Sequence, residues 1–386
     1  MFYLFIHYFG FYMEYIIVAI SVLLISYYNG ANDNIKGVAT LYGSDIVNHK
    51  TAILWGSVTT AFGSVFALVL AQKLILNFSG KGLLPLEMLN TLPINIPIAL
   101  GAGFTILIAT KTGLPISTTH SIIGALIGTG FVAARNAVNY ERLFSVFLLP
   151  LVLGPFFAFF LSFILYKFFA KIRLKLGIDE ESCVCAGEKT FTLAMPLNSS
   201  PQILLREIRK IDASVDKITS CKKQYGGSLF GVSVQTLLNS AHFISGGFVS
   251  FARGLNDTPK LLGLFVFFNF LDPKLSLIAV AVAMFAGGLI SSKKVSEKMS
   301  KDITKLNDGQ GFTANFATGL SVLTGSLFGL PLSTTHVSVG SIFGIGANNN
   351  EMNKKVIKEI VASWVLTLPI AAILGASFHL LIVWFL

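Results

Sequence analysis

The stretch Asn29-Gly30-Ala31-Asn32-Asp33 closes an apolar run, Tyr12 to Tyr28, that is long enough to enter a membrane. Asp33 is therefore a carboxylate at membrane depth, where ionisable side chains are costly and mark functional sites. Because glycine and asparagine are poor helix formers, we expect the helix to break between Asn29 and Asp33 and to resume at about Ile35. A charged residue at a helix break inside a membrane is a candidate site.

This pattern is duplicated in the second half of the chain. Arg253-Gly254-Leu255-Asn256-Asp257 closes another glycine-rich apolar run, and in each copy a lysine follows the aspartate, Lys36 in the first and Lys260 in the second. A second motif is also duplicated, as Gly113-Leu114-Pro115-Ile116-Ser117-Thr118-Thr119-His120 and Gly329-Leu330-Pro331-Leu332-Ser333-Thr334-Thr335-His336. Repeats with interrupted helices at matching positions indicate a midplane binding site between two halves of a membrane protein.

The composition is that of an all-α polytopic membrane protein. Of the 386 residues, 53% are hydrophobic and only 12% are charged, and the mean hydropathy is +0.72. A membrane-spanning helix needs about 20 mostly apolar residues. Runs of this kind are Tyr12 to Tyr28, Ala52 to Leu70, Phe144 to Ala170, Leu275 to Ile290 and Val356 to Leu386. We expect a multi-pass protein of the cell membrane, surrounded by lipid.

The net charge of +10 does not indicate a nucleic-acid partner. Most basic residues lie in loops beside apolar runs, as in cytoplasmic loops that follow the positive-inside tendency. The expected organisation is a first membrane repeat at 1–170, a polar and cytoplasmic linker at 171–227, and a second membrane repeat at 228–386. Within the linker, the spacing of apolar residues from Pro201 to Ser220 predicts an amphipathic helix.

The Gly-Leu-Pro-x-Ser-Thr-Thr-His segments have the features of an anion site. Glycine and proline interrupt the helix, and the hydroxyl residues that follow are good caps for the helix that restarts. A helix N-terminus offers free N–H groups and a partial positive charge, which suit phosphate or a similar oxyanion. Taken singly, Ser-Thr-Thr hydroxyls in a membrane helix more often bond back to the preceding turn; the duplication favours the functional interpretation.

The two aspartates fit the cation side of a coupled site. They would repel an anion unless a cation or proton lay between, so they are candidate sodium ligands, together with the neighbouring asparagines, or proton carriers. Lys36 and Lys260 either face this site or extend to the membrane interface. His120 and His336 are either proton-sensitive ligands or structural residues held by neighbouring hydroxyls.

In these motifs the sequence resembles the inorganic phosphate transporter family, the phosphate permeases driven by electrochemical gradients. The resemblance rests on Gly30-Ala31-Asn32-Asp33, on Gly254-Leu255-Asn256-Asp257 and on both Ser-Thr-Thr segments, and it covers nearly the whole chain outside the linker. It implies about twelve membrane segments arranged as two inverted repeats with broken helices or re-entrant hairpins, and a homodimer. It implies no enzymatic activity and no cofactor.

The resemblance also assigns roles to individual residues. The implied phosphate ligands are Ser117, Thr118, Thr119, Ser333, Thr334 and Thr335, and the implied sodium ligands are Asn32, Asp33, Asn256 and Asp257. Lys36, Lys260, His120 and His336 are accessory candidates. The chain departs from the family where Asn34-Ile35-Lys36 follows the first Asn-Asp pair and where Arg253-Gly254-Leu255 replaces the more common His-Gly-Ala.

The expected function is therefore secondary active import of inorganic phosphate by symport with a cation, for which sodium is the first choice, through alternating access at a midplane site. Proton-coupled transport of phosphate or metal-phosphate, and transport of sulfate on the same fold, remain alternatives. An intramembrane hydrolase is disfavoured because the Gly-x-Ser-x-Gly nucleophile elbow is absent around Ser117 and Ser333. A passive anion channel would not need the paired carboxylates.

Overall fold

The computed structural model describes residues 2–89, 91–134, 138–175, 177–178, 182–196, 203–217, 229–265, 272–301, 306–349 and 354–385. The chain divides into two compact units. The membrane unit comprises Met1–Tyr166 and His242–Leu386, and the linker unit comprises Lys167–Ala241. Both copies of both duplicated motifs belong to the membrane unit.

The first half of the chain forms a series of helices with short interruptions. Its elements are α1 (Phe2–Asp33), a 3₁₀ turn (Asn34–Gly37), α2 (Ala39–Gly43), α3 (His49–Leu70), α4 (Gln72–Phe78), α5 (Leu86–Leu89), α6 (Leu92–Thr112), α7 (Thr118–Ala133), α8 (Tyr140–Arg142), a π-helical stretch (Leu143–Leu148) and α9 (Leu149–Lys175). The interruption predicted at the first Gly-Leu-Pro segment therefore separates α6 from α7.

The second half has a corresponding helical series. Its helices are α10 (Val234–Phe265), α11 (Pro273–Ser291), α12 (Lys293–Lys301), α13 (Asp308–Phe328), α14 (Thr334–Asn349) and α15 (Lys354–Phe385). The second Gly-Leu-Pro segment separates α13 from α14, so the two copies interrupt the chain in the same way.

The surface of the membrane unit is apolar, as expected for a multi-pass membrane protein. Within the described ranges, six helical stretches are long and apolar enough to cross a membrane, namely Ile16–Gly37, His49–Leu70, Pro93–Thr112, Tyr140–Lys175, Pro273–Ser291 and Ile357–Trp384. Large apolar side chains on them are exposed, including Ile20 at 59%, Phe157 at 61% and Val69 at 74%. A set of polar and charged side chains, including Asp33, Lys36 and Asp257, is instead buried between the helices, which is the arrangement that a hydrocarbon solvent favours.

Glycine allows two of these helices to cross with their backbones in contact. A Cβ atom added at Gly30 in α1 would lie 1.9 Å from the carbonyl oxygen of Met284 in α11. One added at Gly287 in α11 would lie 1.8 Å from the carbonyl oxygen of Tyr27 in α1. Such close approach through small residues is a common basis of helix association in membranes.

The predicted break between Asn29 and Asp33 is wrong in its position. Helix α1 continues to Asp33, and the interruption is the 3₁₀ turn that follows. The Asn29 side chain donates a hydrogen bond to Asp33 one turn later, at 3.2 Å, which stabilises the final helical turn. In the second copy, α10 runs without interruption from Val234 to Phe265.

The prediction of an amphipathic helix at Pro201 to Ser220 is also wrong for the part of this segment that the structure describes. The described part is a β-strand, so the chain is not helical throughout. Ile203–Lys217 is strand β2, which pairs along its full length with β1 (Ser182–Pro196) in an antiparallel ladder. β3 (Leu229–Ser233) pairs with the other edge of β1. The β-branched residues of this segment suit a strand, and the ladder with β1 overrides the helical spacing of its apolar residues.

The contact between α1 and α11 can be tested with a matched pair of glycine substitutions. We expect Gly287→Ala to destabilise the protein by about 1–3 kcal/mol because the new methyl group overlaps the backbone of Tyr27. Gly103→Ala is the control, since its Cβ would lie 3.7 Å from its nearest neighbour, Ile25, and alanine favours the helix. Thermal unfolding in detergent measures both, and equal unfolding temperatures would contradict the proposed close contact.

Candidate functional site

The two Gly-Leu-Pro segments turn the chain by the same local geometry. Helix α6 is followed by Gly113, whose φ is 74°, and helix α13 by Gly329, whose φ is 76°. Glycine adopts this left-handed conformation without a steric penalty, so it is the residue suited to such a helix end. In each copy the chain then proceeds to a serine that precedes the next helix.

The serines Ser117 and Ser333 cap the helices that restart inside the membrane unit. The Ser117 hydroxyl accepts a hydrogen bond from the backbone N–H of His120 at 3.2 Å. The Ser333 hydroxyl accepts one from the N–H of His336 at 3.3 Å. Two helix N-termini, those of α7 and α14, are thus presented in the buried interior with hydroxyl residues around them.

The Ser-Thr-Thr segments of the two halves meet. The Thr335 hydroxyl donates to the carbonyl oxygen of Ile116 at 2.8 Å, and the Thr119 hydroxyl lies 3.4 Å from the carbonyl oxygen of Leu332. Each threonine therefore contacts the residue that immediately precedes the capping serine of the other half. Thr334 is also buried, at the first position of α14.

Asp33 lies beside the first Ser-Thr-Thr segment. Its carboxylate accepts hydrogen bonds from the Thr118 hydroxyl at 3.0 Å and from the Asn29 amide at 3.2 Å. It also forms a buried ion pair with Lys36. A carboxylate that is only 2% exposed needs such partners, because an unpaired buried charge costs several kcal/mol.

Asp257 occupies the equivalent position in the second half. Its carboxylate pairs with the Lys260 ammonium at 2.9 Å and with the Arg253 guanidinium at 3.2 Å. The Asn256 amide lies 3.3 Å from the same carboxylate. The Asn29 amide also reaches Asp257, at 3.4 Å, so the two carboxylates belong to one connected network.

Both lysines point into this network. The Lys36 ammonium donates to Asp33, to the carbonyl oxygen of Ile116 at 2.6 Å and to the Thr335 hydroxyl. The Lys260 ammonium contacts the equivalent groups in the second half. Its partners are Asp257 at 2.9 Å, the carbonyl oxygen of Leu332 at 2.9 Å and the Thr119 hydroxyl at 2.7 Å. Of the two orientations that the sequence left open, both lysines adopt the inward one.

The asparagines of the Asn-Asp pairs hold the extended segments against the helices. The Asn32 amide donates to the carbonyl oxygen of Leu114 at 3.0 Å, and its oxygen accepts from the N–H of Ile116 at 3.2 Å. The Asn256 amide donates to the carbonyl oxygen of Leu332 at 2.9 Å. Both asparagines thus contact the backbone of their own half's Gly-Leu-Pro segment.

The two histidines lie against each other. The ring centroids of His120 and His336 are 4.5 Å apart, and the His336 ring also packs on Trp364 with a centroid distance of 3.9 Å. Each ring follows its Ser-Thr-Thr segment, so their contact joins the first turns of α7 and α14.

Arg253 and its partner Asn29 are site residues that the sequence analysis did not select, and Arg253 carries the charge. It is fully buried, and besides Asp257 it contacts Asn34, the Asn29 side-chain oxygen at 2.9 Å and the Thr60 hydroxyl at 3.2 Å. Its position four residues before Asp257 in an apolar run was an available signal, because such spacing allows an ion pair on a helix. An arginine at membrane depth requires a partner of this kind.

The network has an excess of positive charge. Among the buried aspartate, glutamate, lysine and arginine side chains that the structure describes, two are anionic, Asp33 and Asp257, and three are cationic, Lys36, Arg253 and Lys260. With all five ionised, the site carries one net positive charge. A buried excess charge is unfavourable by itself, so the arrangement is suited to receiving an anion.

Comparisons with known proteins agree with this architecture. The model of the phosphate transporter family matches residues 29–375. A protein of Thermococcus kodakarensis named "putative phosphate permease" is 26% identical, over 90% of this chain and 92% of its own length. A protein of Chlamydia muridarum with the same name is 27% identical, over 92% of this chain and 94% of its own.

A solved structure of a sodium-dependent phosphate transporter has the same fold. It aligns with a TM-score of 0.75 and 23% sequence identity, and the alignment covers 97% of this chain and 100% of the other. The family match extends from Asn29, at the first motif, to beyond the second Ser-Thr-Thr segment. This chain is a multi-pass membrane protein and a transporter rather than an enzyme, and it belongs to the phosphate transporter family.

Proposed function

We propose that the protein imports inorganic phosphate across the cell membrane by symport with a cation, using alternating access at a midplane site between its two halves. The observation that carries this proposal is the convergence of the two Ser-Thr-Thr segments, where Thr335 contacts Ile116 and Thr119 lies beside Leu332. Each half supplies one helix N-terminus, a capping serine and two threonines. Such groups suit a tetrahedral oxyanion.

In this proposal the phosphate oxygens are bound by Ser117, Thr118, Thr119, Ser333, Thr334 and Thr335. The hydroxyls and the free N–H groups of the first turns donate hydrogen bonds, and the net positive charge of the surrounding network attracts the anion. Lys36 and Lys260 each contact a threonine hydroxyl of the opposite half. They would therefore lie next to the phosphate and contribute charge to its binding.

Alternating access requires the contacts between the halves to open in turn. Asp33 and Asp257 are nearly inaccessible, at 2% and 1% exposure, so the arrangement corresponds to a closed site. Opening toward either side of the membrane must break contacts such as Thr335 to Ile116. The two-fold relation of these contacts supports the predicted repeats; their inversion, the total of about twelve segments and the homodimer remain part of the proposal.

The net charge of the network limits the number of cations that must bind together with phosphate. A phosphate dianion in a site with one excess positive charge requires one further positive charge for neutrality. The sequence predicts sodium in this role, bound by Asn32, Asp33, Asn256 and Asp257. The lysine contacts with both aspartates favour the alternative, a proton, because the carboxylates already have ammonium partners. A dianion with one proton is the phosphate monoanion.

Uptake of radiolabelled phosphate into proteoliposomes tests the function and the cation together. We expect an inward proton gradient to drive uptake at zero sodium, because one proton balances the dianion. An inward sodium gradient at constant pH is the comparison. Uptake that strictly requires sodium would contradict proton coupling and support the aspartates as sodium ligands. Sulfate uptake without phosphate uptake would contradict the phosphate assignment.

The capping serines can be tested by removing their hydroxyls. We expect Ser117→Ala and Ser333→Ala each to weaken phosphate binding about tenfold or more, because a hydrogen bond to a charged group contributes about 1.5–3 kcal/mol. Ser145→Ala is the matched control, since its exposed hydroxyl bonds back to Glu141 in the preceding turn. Phosphate titration by calorimetry in detergent gives the affinities, and unchanged affinity in both site variants would remove the serines from the site.

A further inference from the structure

The ammonium groups of Lys36 and Lys260 are each surrounded by three oxygens of the same three kinds. The first group, here called cage 1, consists of the Asp33 carboxylate, the Ile116 carbonyl and the Thr335 hydroxyl. The second, cage 2, consists of the Asp257 carboxylate, the Leu332 carbonyl and the Thr119 hydroxyl. In each cage the carboxylate and carbonyl come from one half and the hydroxyl from the other.

These are the ligand types that hard metal cations use in proteins. Carboxylate, backbone carbonyl and hydroxyl oxygens bind such ions without nitrogen or sulfur. An ammonium group has three N–H donors and no acceptor, so three oxygens satisfy it completely. The lysine nitrogen thus fills a position whose surroundings are those of a cation site, and it does so twice.

We propose that Lys36 and Lys260 are covalently tethered cations that occupy the positions of coupling ions in this protein, so that anion binding at the site does not require sodium. The inference deepens the proposed phosphate transport and rests on it only for the identity of the anion. In this proposal, the two positions that the sequence predicts for sodium, beside the Asn-Asp pairs, are occupied by the lysine ammonium groups.

Tethering changes what the cation can do in a transport cycle. A bound sodium ion leaves with the substrate and transfers the energy of its gradient. A lysine side chain remains with the protein, so it neutralises the aspartate and attracts the anion without adding to the number of ions transported. With the third cation, Arg253, the network retains one net positive charge, and the matching substrate is the phosphate monoanion.

The spacing of the residues also fits this role. Each lysine lies three residues after the aspartate that it neutralises, Asp33 with Lys36 and Asp257 with Lys260. The pair therefore stays together on one segment when the halves separate. The contacts that change during opening are those to Thr335 and Thr119, which the opposite half supplies.

The proposal is tested by asking whether removal of the ammonium group creates sodium dependence. The proteins compared are wild type, Lys36→Ala, Lys260→Ala, Lys36→Met and Lys50→Ala, in sodium chloride or choline chloride at equal concentration. Alanine vacates the cage, whereas methionine removes the charge but still fills the space. Lys50 is exposed at the start of α3, so its variant controls for loss of a surface charge.

The first measurement is the thermal unfolding temperature without any phosphate. We expect the wild type and Lys50→Ala to unfold at the same temperature in both salts. We expect Lys36→Ala and Lys260→Ala to be less stable in choline and to be shifted upward by sodium, because an ion that binds only the folded state stabilises it. Lys36→Met should show no sodium shift.

The second measurement is phosphate affinity by calorimetry in the same two salts. Wild type should bind phosphate equally in both. The alanine variants should bind it about tenfold or more weakly in choline and should recover part of that loss in sodium. A wild type whose stability or phosphate affinity requires sodium would overturn the proposal, as would folded alanine variants with no sodium shift.

These outcomes separate the inference from the proposed function. If wild type binds no phosphate in either salt, phosphate transport is contradicted, but the unfolding temperatures still decide whether sodium can replace the ammonium groups. If one alanine variant does not fold, the other alanine variant still shows whether sodium can replace the ammonium group. The wild type is a second test, because stabilisation of the wild type by sodium would contradict tethered cations.

Discussion

The structure depends on the compensation of buried charge around Asp33 and Asp257. A carboxylate in the interior of a membrane protein is stable only when cations and hydrogen-bond donors replace the water it has lost. Lys36, Lys260 and Arg253 provide that replacement, and the ammonium and guanidinium groups are themselves buried. The stability of this part of the fold and the proposed binding of an anion therefore involve the same five side chains.

The backbone has to come close enough for these side chains to meet. Gly30 and Gly287 let α1 and α11 cross at backbone contact, and the left-handed ends of α6 and α13 at Gly113 and Gly329 bring extended segments into the interior. Extended backbone inside a membrane is tolerated only where protein groups satisfy it. Here Asn32 and Asn256 form hydrogen bonds to the extended backbone. Each Asn-Asp pair therefore supports the segment that carries the Ser-Thr-Thr motif of its own half.

The duplicated contacts link the two halves of the membrane unit. Thr335 and Thr119 each belong to the lysine cage of the other half, so both cages depend on the contact between the halves. Arg253 breaks the equivalence, because Asn29 holds the corresponding place in the first half and the two side chains bond to each other at 2.9 Å. The excess positive charge of the site comes from this one difference between the repeats.

The sequence alone determined the helical membrane fold, the duplication and the two Gly-Leu-Pro interruptions, because hydropathy, glycine and proline act locally and leave a direct pattern. It also placed Asp33 and Asp257 in the interior. Only the tertiary structure decided that both lysines point inward, that Arg253 joins the network, that α1 continues to Asp33, and that Ile203–Lys217 is a strand paired with β1. Those outcomes depend on partners that are distant in the chain, such as Thr335 for Lys36. Local spacing does not show which distant group will pair with a buried charge or with the edge of a strand.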